Sequence, residues 1–159
     1  MEYHFYSFVA HHYLSPLQQG LQTAHAVALL SYAVHSHAVG QLSFATNRPN
    51  REQFAQWSGF DKTIIICGAS NHAGVVHAYE QFKIFTDTGL LGYMQPVIFF
   101  EDEQSMNKMA TACGVLVPSR YYDAWFSPEL GRWVSPENEP PLTDFENDFV
   151  TYLKSFRLA

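Results

Sequence analysis

Gln18, Gln22 and His25 follow one another at spacings of four and three residues. On a helix that spacing puts all three side chains on one face. Glutamine both donates and accepts hydrogen bonds, and histidine exchanges a proton near neutral pH. Thr23 and Gln19 flank the group. Such a face either satisfies itself inside the fold or meets a ligand. Tyr6 and Tyr13 are expected to add aromatic walls, since flat rings stack on flat ligands. Much later, Glu101-Asp102-Glu103 closes an apolar run, and one of these three acids is expected to accept a hydrogen bond from His25 or from a ligand hydroxyl, with Asp102 carried into the expected site. Thr111 is expected in the same cleft. The expected ligand-binding set is therefore Tyr6, Tyr13, Gln18, Gln22, His25, Asp102 and Thr111, with His25 and Gln22 as the pair able to act in catalysis.

The 8 histidines raise the question of a metal. They cluster as His11-His12, His35 with His37, and His72 with His77. None of these clusters combines with cysteine into a zinc pattern, and His72 and His77 share a helix face poorly. No metal and no cofactor are expected. Gly68-Ala-Ser-Asn71 reads as a strand-to-helix turn; a helix start of that kind can hold an anion, although an ordinary turn is commoner. No Walker or dinucleotide fingerprint is present.

The chain has 159 residues, enough for one core. It carries 9 Lys and Arg against 15 Asp and Glu, a formal charge of −6. Phosphate backbones are gripped mainly by lysine and arginine, so a large nucleic acid such as tRNA is a less expected partner than a small ligand. The 13 Phe, 9 Tyr and 3 Trp are read first as core. Cys67 and Cys113 fall in apolar runs and read as buried free thiols. No secretory signal and no membrane span are read, which places the chain in the cytoplasm.

Several elements must position these residues. Tyr3–Ala10 reads as a strand. Ser15-Pro16-Leu-Gln18 is a capping box that opens a helix to about Val34. A turn at Thr46–Asn50 precedes a short helix, Arg51–Ser58. Lys62–Gly68 is an unbroken apolar run, expected as a central strand buried on both faces. Asn71 caps a helix from His72 to about Thr88, stopped at Gly89. Gln95–Phe100 and Gly114–Pro118 read as further strands, separated by a loop with one helical turn. Residues 119–142, rich in Pro and aromatics, read as an irregular arm. Thr143-x-x-Glu146 is a second capping box before a last helix. The expected fold is α/β, a small mixed four-stranded sheet with helices on both faces. Residues 1–118 form its body, and 119–159 an arm and helix packed on the same domain.

No Asp, Glu, Lys or Arg occurs between Glu2 and Arg48. Exposed helices normally carry charge, so part of this stretch is expected against a second copy of the chain, in a homodimer.

Residues 14–26, LSPLQQGLQTAHA, resemble the first-helix signature of type II peptidyl-tRNA hydrolases, with Gln22 and His25-Ala26 at its Gln-x-x-His-Ala core. The order of the elements around Trp57, Lys62-Thr-Ile-Ile-Ile and Gly89-Leu90 is similar too, over roughly residues 3–118. A phage-associated branch of that fold, without assigned function, is closer still through its Leu-Ser-Pro-x-Gln-Gln helix and the segment Phe100-Glu101-Asp102-Glu103. The family's lysine on the first helix falls at Gln18, and its Asp-Ala-Gly turn is not recognisable here. The resemblance therefore implies a catalytically altered protein that binds a small nucleotide-type ligand, in the phage setting by sequestering a host immune signal. A peptidyl-tRNA or related ester hydrolase ranks second, and a module that binds a host protein third.

Overall fold

The computed structural model describes residues 2–35, 51–88 and 95–159. The expected turn at Thr46–Asn50, the helix stop at Gly89 and His37 lie outside them. A four-stranded sheet runs β2-β1-β4-β3, from β1 (Tyr3–Val9), β2 (Thr63–Gly68), β3 (Val97–Phe100) and β4 (Ala110–Pro118). β1 pairs parallel with β2 and antiparallel with β4, and β3 is antiparallel to β4, so the sheet is mixed.

Side chains alternate across β1, and each face buries against different helices. Phe5 and Ser7 face α1 (Pro16–His35) and the segment after α2 (Arg51–Gln56). Ser7 shares a hydrogen bond with Thr23 of α1, and Phe5 packs on Trp57 in a single π-helical turn. Phe8 points the other way, onto Phe82 of α3 (His72–Asp87) and Phe156 beyond α6 (Asp144–Lys154). Helices therefore cover both faces of a small mixed sheet. All 9 residues of β4 are buried between them. β4 starts at Ala110, four residues before the expected Gly114, because those residues are held under α1 and α3.

β2 overturns an expectation. Its apolar run lies at the edge of the sheet, not the centre, and Ile64 is 45% exposed. The chain's end partly covers that edge. Gly68 donates to the Arg157 carbonyl, Ala159 donates to the Ile66 carbonyl, and Leu158 bridges Cys67. Cys67 and Cys113 are buried free thiols.

Residues 119–142 are more regular than expected. They form α5 (Ser119–Asp123) and a hairpin of β5 (Trp125–Ser127) with β6 (Arg132–Val134). Tyr121, Leu142, Phe149 and Leu153 join the same core as β1 and β4. α6 opens with the expected capping box, in which Thr143 and Glu146 each satisfy the other's backbone N–H. Among the described residues no helix is long and apolar enough to cross a membrane.

Candidate functional site

The polar cluster forms where α1 crosses β3 and β4. The register of β3 on β4 slips after Phe99: Phe99 pairs with Ala112 and Phe100 with Ala110, which leaves Thr111 unmatched. Such a bulge re-aims a side chain. Here it sends the Thr111 hydroxyl toward α1, where it donates to Gln22 Oε1 at 2.9 Å. The other end of the same amide, Nε2, donates to Glu101 Oε1 at 2.6 Å. The orientation of the amide follows from its partners, because a carboxylate only accepts. Gln22 and Thr111 are buried and Glu101 is half-buried. The amide of Gln22 is thus held at both ends, and it fixes one carboxylate oxygen. Glu101 Oε2 has no hydrogen-bond partner among the described residues.

His25 follows Gln22 by three residues on the same helix. Its ring lies against Phe99, with centroids 4.4 Å apart and planes at 49°. Its Nδ1 is buried and has no hydrogen-bond partner among the described residues. Leaving such an atom unpaired costs about 1–3 kcal/mol. His25 thus offers an imidazole nitrogen without a partner one helical turn from the amide that holds Glu101, and such a group can accept or shift a proton or hold a ligand N–H.

The structure separates the other expected site residues from this cluster. Gln18 is exposed and caps its own helix: its Oε1 accepts from Ser15 N at 2.8 Å, and its N–H reaches Ser15 Oγ at 3.4 Å. Tyr6 is buried on the opposite face of the sheet, stacked near Phe8, and burial pushes its hydroxyl pKa up. Tyr13 is exposed in the turn after β1, and no bond or ring contact among the described residues ties it to His25. Asp102 caps α4 (Glu103–Met106), where the Ser105 hydroxyl and backbone N–H hold its carboxyl below the ordinary range. Of the three adjacent acids, the one that meets α1 is Glu101, not Asp102. Strand parity carries the signal for it: Phe99 faces α1, so Glu101, two residues on, shares its side, and Asp102 turns away.

His11 and His12 meet edge to face, with ring centroids 4.5 Å apart. His72 Nδ1 accepts from Ala110 N at 2.8 Å, and His35 Nδ1 meets the Ser31 carbonyl oxygen at 2.8 Å. Among the described residues no three of His, Cys, Asp and Glu converge as a metal site. A cavity of about 490 Å³ lies apart from the Gln22 cluster, past the ends of β1 and β2. None of the seven expected site residues lines it.

No protein-family model matches the chain, and no curated protein matches it.

Proposed function

We propose that the chain is a type II peptidyl-tRNA hydrolase-like protein of the phage-associated branch, and that it binds a small nucleotide-type ligand over Gln22, Glu101 and His25. The observation that carries this reading is two idle groups: Glu101 Oε2, on the carboxylate that the engaged Gln22 amide holds, and Nδ1 of His25, three residues on from Gln22 along α1. A fixed carboxylate oxygen suits an N–H edge, as when Glu accepts from the amino group of a base. The half-buried Phe99 and His25 rings add aromatic surface beside it. A carboxylate at the centre, in a chain of formal charge −6, disfavours a phosphate backbone there. The order β1-α1-α2-β2-α3-β3 followed by β4, with only the one-turn α4 between the last two strands, supports the family reading. The departure at Gln18, spent on a cap, supports binding above hydrolysis.

The test incubates purified protein with nucleotides and with cyclic and NAD-derived messengers, washes it, releases bound material by heat and identifies it by mass spectrometry. The expected result is an intact nucleotide-type compound, lost in the Glu101→Ala variant. Recovery of no such compound rejects the reading.

A second reading, an ester or peptidyl-tRNA hydrolase, rests on the unpaired Nδ1 of His25. Gln22 would then position Glu101, and His25 would move the proton. In that case the released material is a cleaved product, and His25→Ala abolishes turnover while the fold survives. Uncut substrate with wild-type protein excludes it.

We also propose a homodimer, supported by an apolar stripe on α1. Leu17, Leu21, Ala24, Ala28 and Tyr32 are all exposed, at spacings of three and four residues.

A further inference from the structure

Two loops meet beyond the carboxyl ends of the parallel strands β1 and β2. Ala69 donates to the Val9 carbonyl at 2.8 Å and His12 donates to the Ser70 carbonyl at 2.9 Å, which locks the loops together. They form one wall of the cavity of about 490 Å³, within the range of small-ligand pockets. Gly68 allows this close approach, and Gly74 lets α3 start tight against its own loop. A Cβ on Gly68 would lie 2.5 Å from the His11 ring, and one on Gly74 would lie 1.8 Å from the Ala69 carbonyl oxygen.

The lining is unlike the rest of this acidic chain. It includes Arg157, His11, His77, Ser70 and Ser155 and no Asp or Glu side chain, and Ala159, the last residue, brings the one carboxylate to it. Arg157 is exposed and forms no ion pair among the described residues. Ser70 N–H donates to His11 Nδ1 at 3.1 Å, so the neutral ring carries its proton on Nε2 and keeps a donor there. The half-buried Phe156 adds an aromatic surface.

We propose that this cavity is a second binding site, separate from the Gln22 cluster, for a phosphate monoester carried on a flat organic body. The guanidinium of Arg157 supplies paired donors that fit phosphate oxygens, with His11, His77 and the serines as further polar partners. Phe156 and the His11 ring flank the organic part.

Adenosine monophosphate, adenosine and inorganic phosphate serve as probes. Binding is followed by calorimetry and by backbone amide shifts in a nitrogen-15 spectrum. The expected result is saturable binding of the monophosphate, weaker binding of phosphate and none of adenosine. Amide shifts centre on Gly68, Ser70 and Ser155. Arg157→Ala weakens the monophosphate by about tenfold, and Arg157→Glu weakens it further. Both variants should fold, because Arg157 joins β2 through its backbone carbonyl. No saturable binding, shifts centred on Gln22 and Glu101, equal affinity for adenosine, or wild-type affinity in Arg157→Glu would each overturn the proposal.

Discussion

Glu146 shows how this chain handles a buried acid. Its carboxylate accepts from the Tyr121 hydroxyl at 2.7 Å, from Thr143 N at 2.8 Å and from the Thr143 hydroxyl at 3.0 Å, with Arg120 at 3.4 Å. Burial alone raises its pKa. The Thr143 backbone, the Tyr121 and Thr143 hydroxyls and Arg120 outweigh that and hold it below the ordinary 4.5. A carboxyl depressed on folding contributes stability that is present above its unfolded pKa and lost as pH falls through the folded one. Urea midpoints of the wild type should therefore drop below pH 4.5, and Glu146→Gln should start lower at neutral pH and drop less. Parallel pH profiles would remove Glu146 as the cause.

Thr111 makes the same case at the candidate site. Thr111→Val keeps the shape and leaves Gln22 Oε1 buried without its donor, at a cost of about 1–3 kcal/mol in urea unfolding. A cost near zero would mean that water or a rotated amide replaces the hydroxyl. Helical spacing puts Gln22 and His25 on one face, but it gives Gln18 the same place, and the cap at Ser15 takes Gln18 instead. Tyr6 was misplaced because its aromatic character was weighed without strand parity: Phe5 and Ser7 face α1, so Tyr6 cannot.

Among the elements, the helix starts were the most readable, because a cap is a local code of three or four residues. Thr143 with Glu146, Ser15 with Gln18, and Asn71 all act as their spacing implied. Strand position was not readable, since it depends on partners distant in the chain. Lys62–Gly68 looks central because three isoleucines adjoin, yet it lies at the edge with the chain's end laid along it. The hairpin β5–β6 was hidden for a related reason. Its strands have 3 residues each, too short for alternation to show, and Asn147 of α6 pins it by bonding both N and O of Trp133. Close contacts between elements were equally invisible. Gly114 in β4 lies under the Phe5 ring, where a Cβ would come 2.2 Å from Cζ. Phe5 is also packed against Trp57, so it has little room to move. Gly114→Ala should cost about 1–3 kcal/mol as an overpacked core, read as a lower melting temperature with retained far-UV circular dichroism. An unchanged melting temperature would show that the Phe5 ring can swing aside.

At the scale of the whole molecule, the distribution of charge is the strongest remaining signal. The described part of α1 buries Gln22, Thr23, Ala26, Leu30 and Val34 on the sheet side. Its outer side carries Leu17 at 85% exposure, Leu21 at 53% and Tyr32 at 57%, with no charged side chain between them. A solvated helix of this length ordinarily carries Lys, Glu or Arg there, since isolated apolar residues are common but an uncharged stripe over several turns is not. A two-fold axis beside α1 would lay the stripe of one copy on that of the other, which closes the assembly without leaving a free apolar face. Light scattering coupled to size exclusion should give twice the mass of one chain for the wild type. Leu21→Glu places a carboxylate in the middle of the stripe, and a second copy would bring a like charge beside it. That variant should elute as a monomer with an unchanged circular dichroism spectrum, because Leu21 makes no part of the buried core. A wild type that runs as a monomer would refute the dimer. A Leu21→Glu dimer would move the axis away from α1, and the β2 edge, with Ile64 outward, is the face to substitute next.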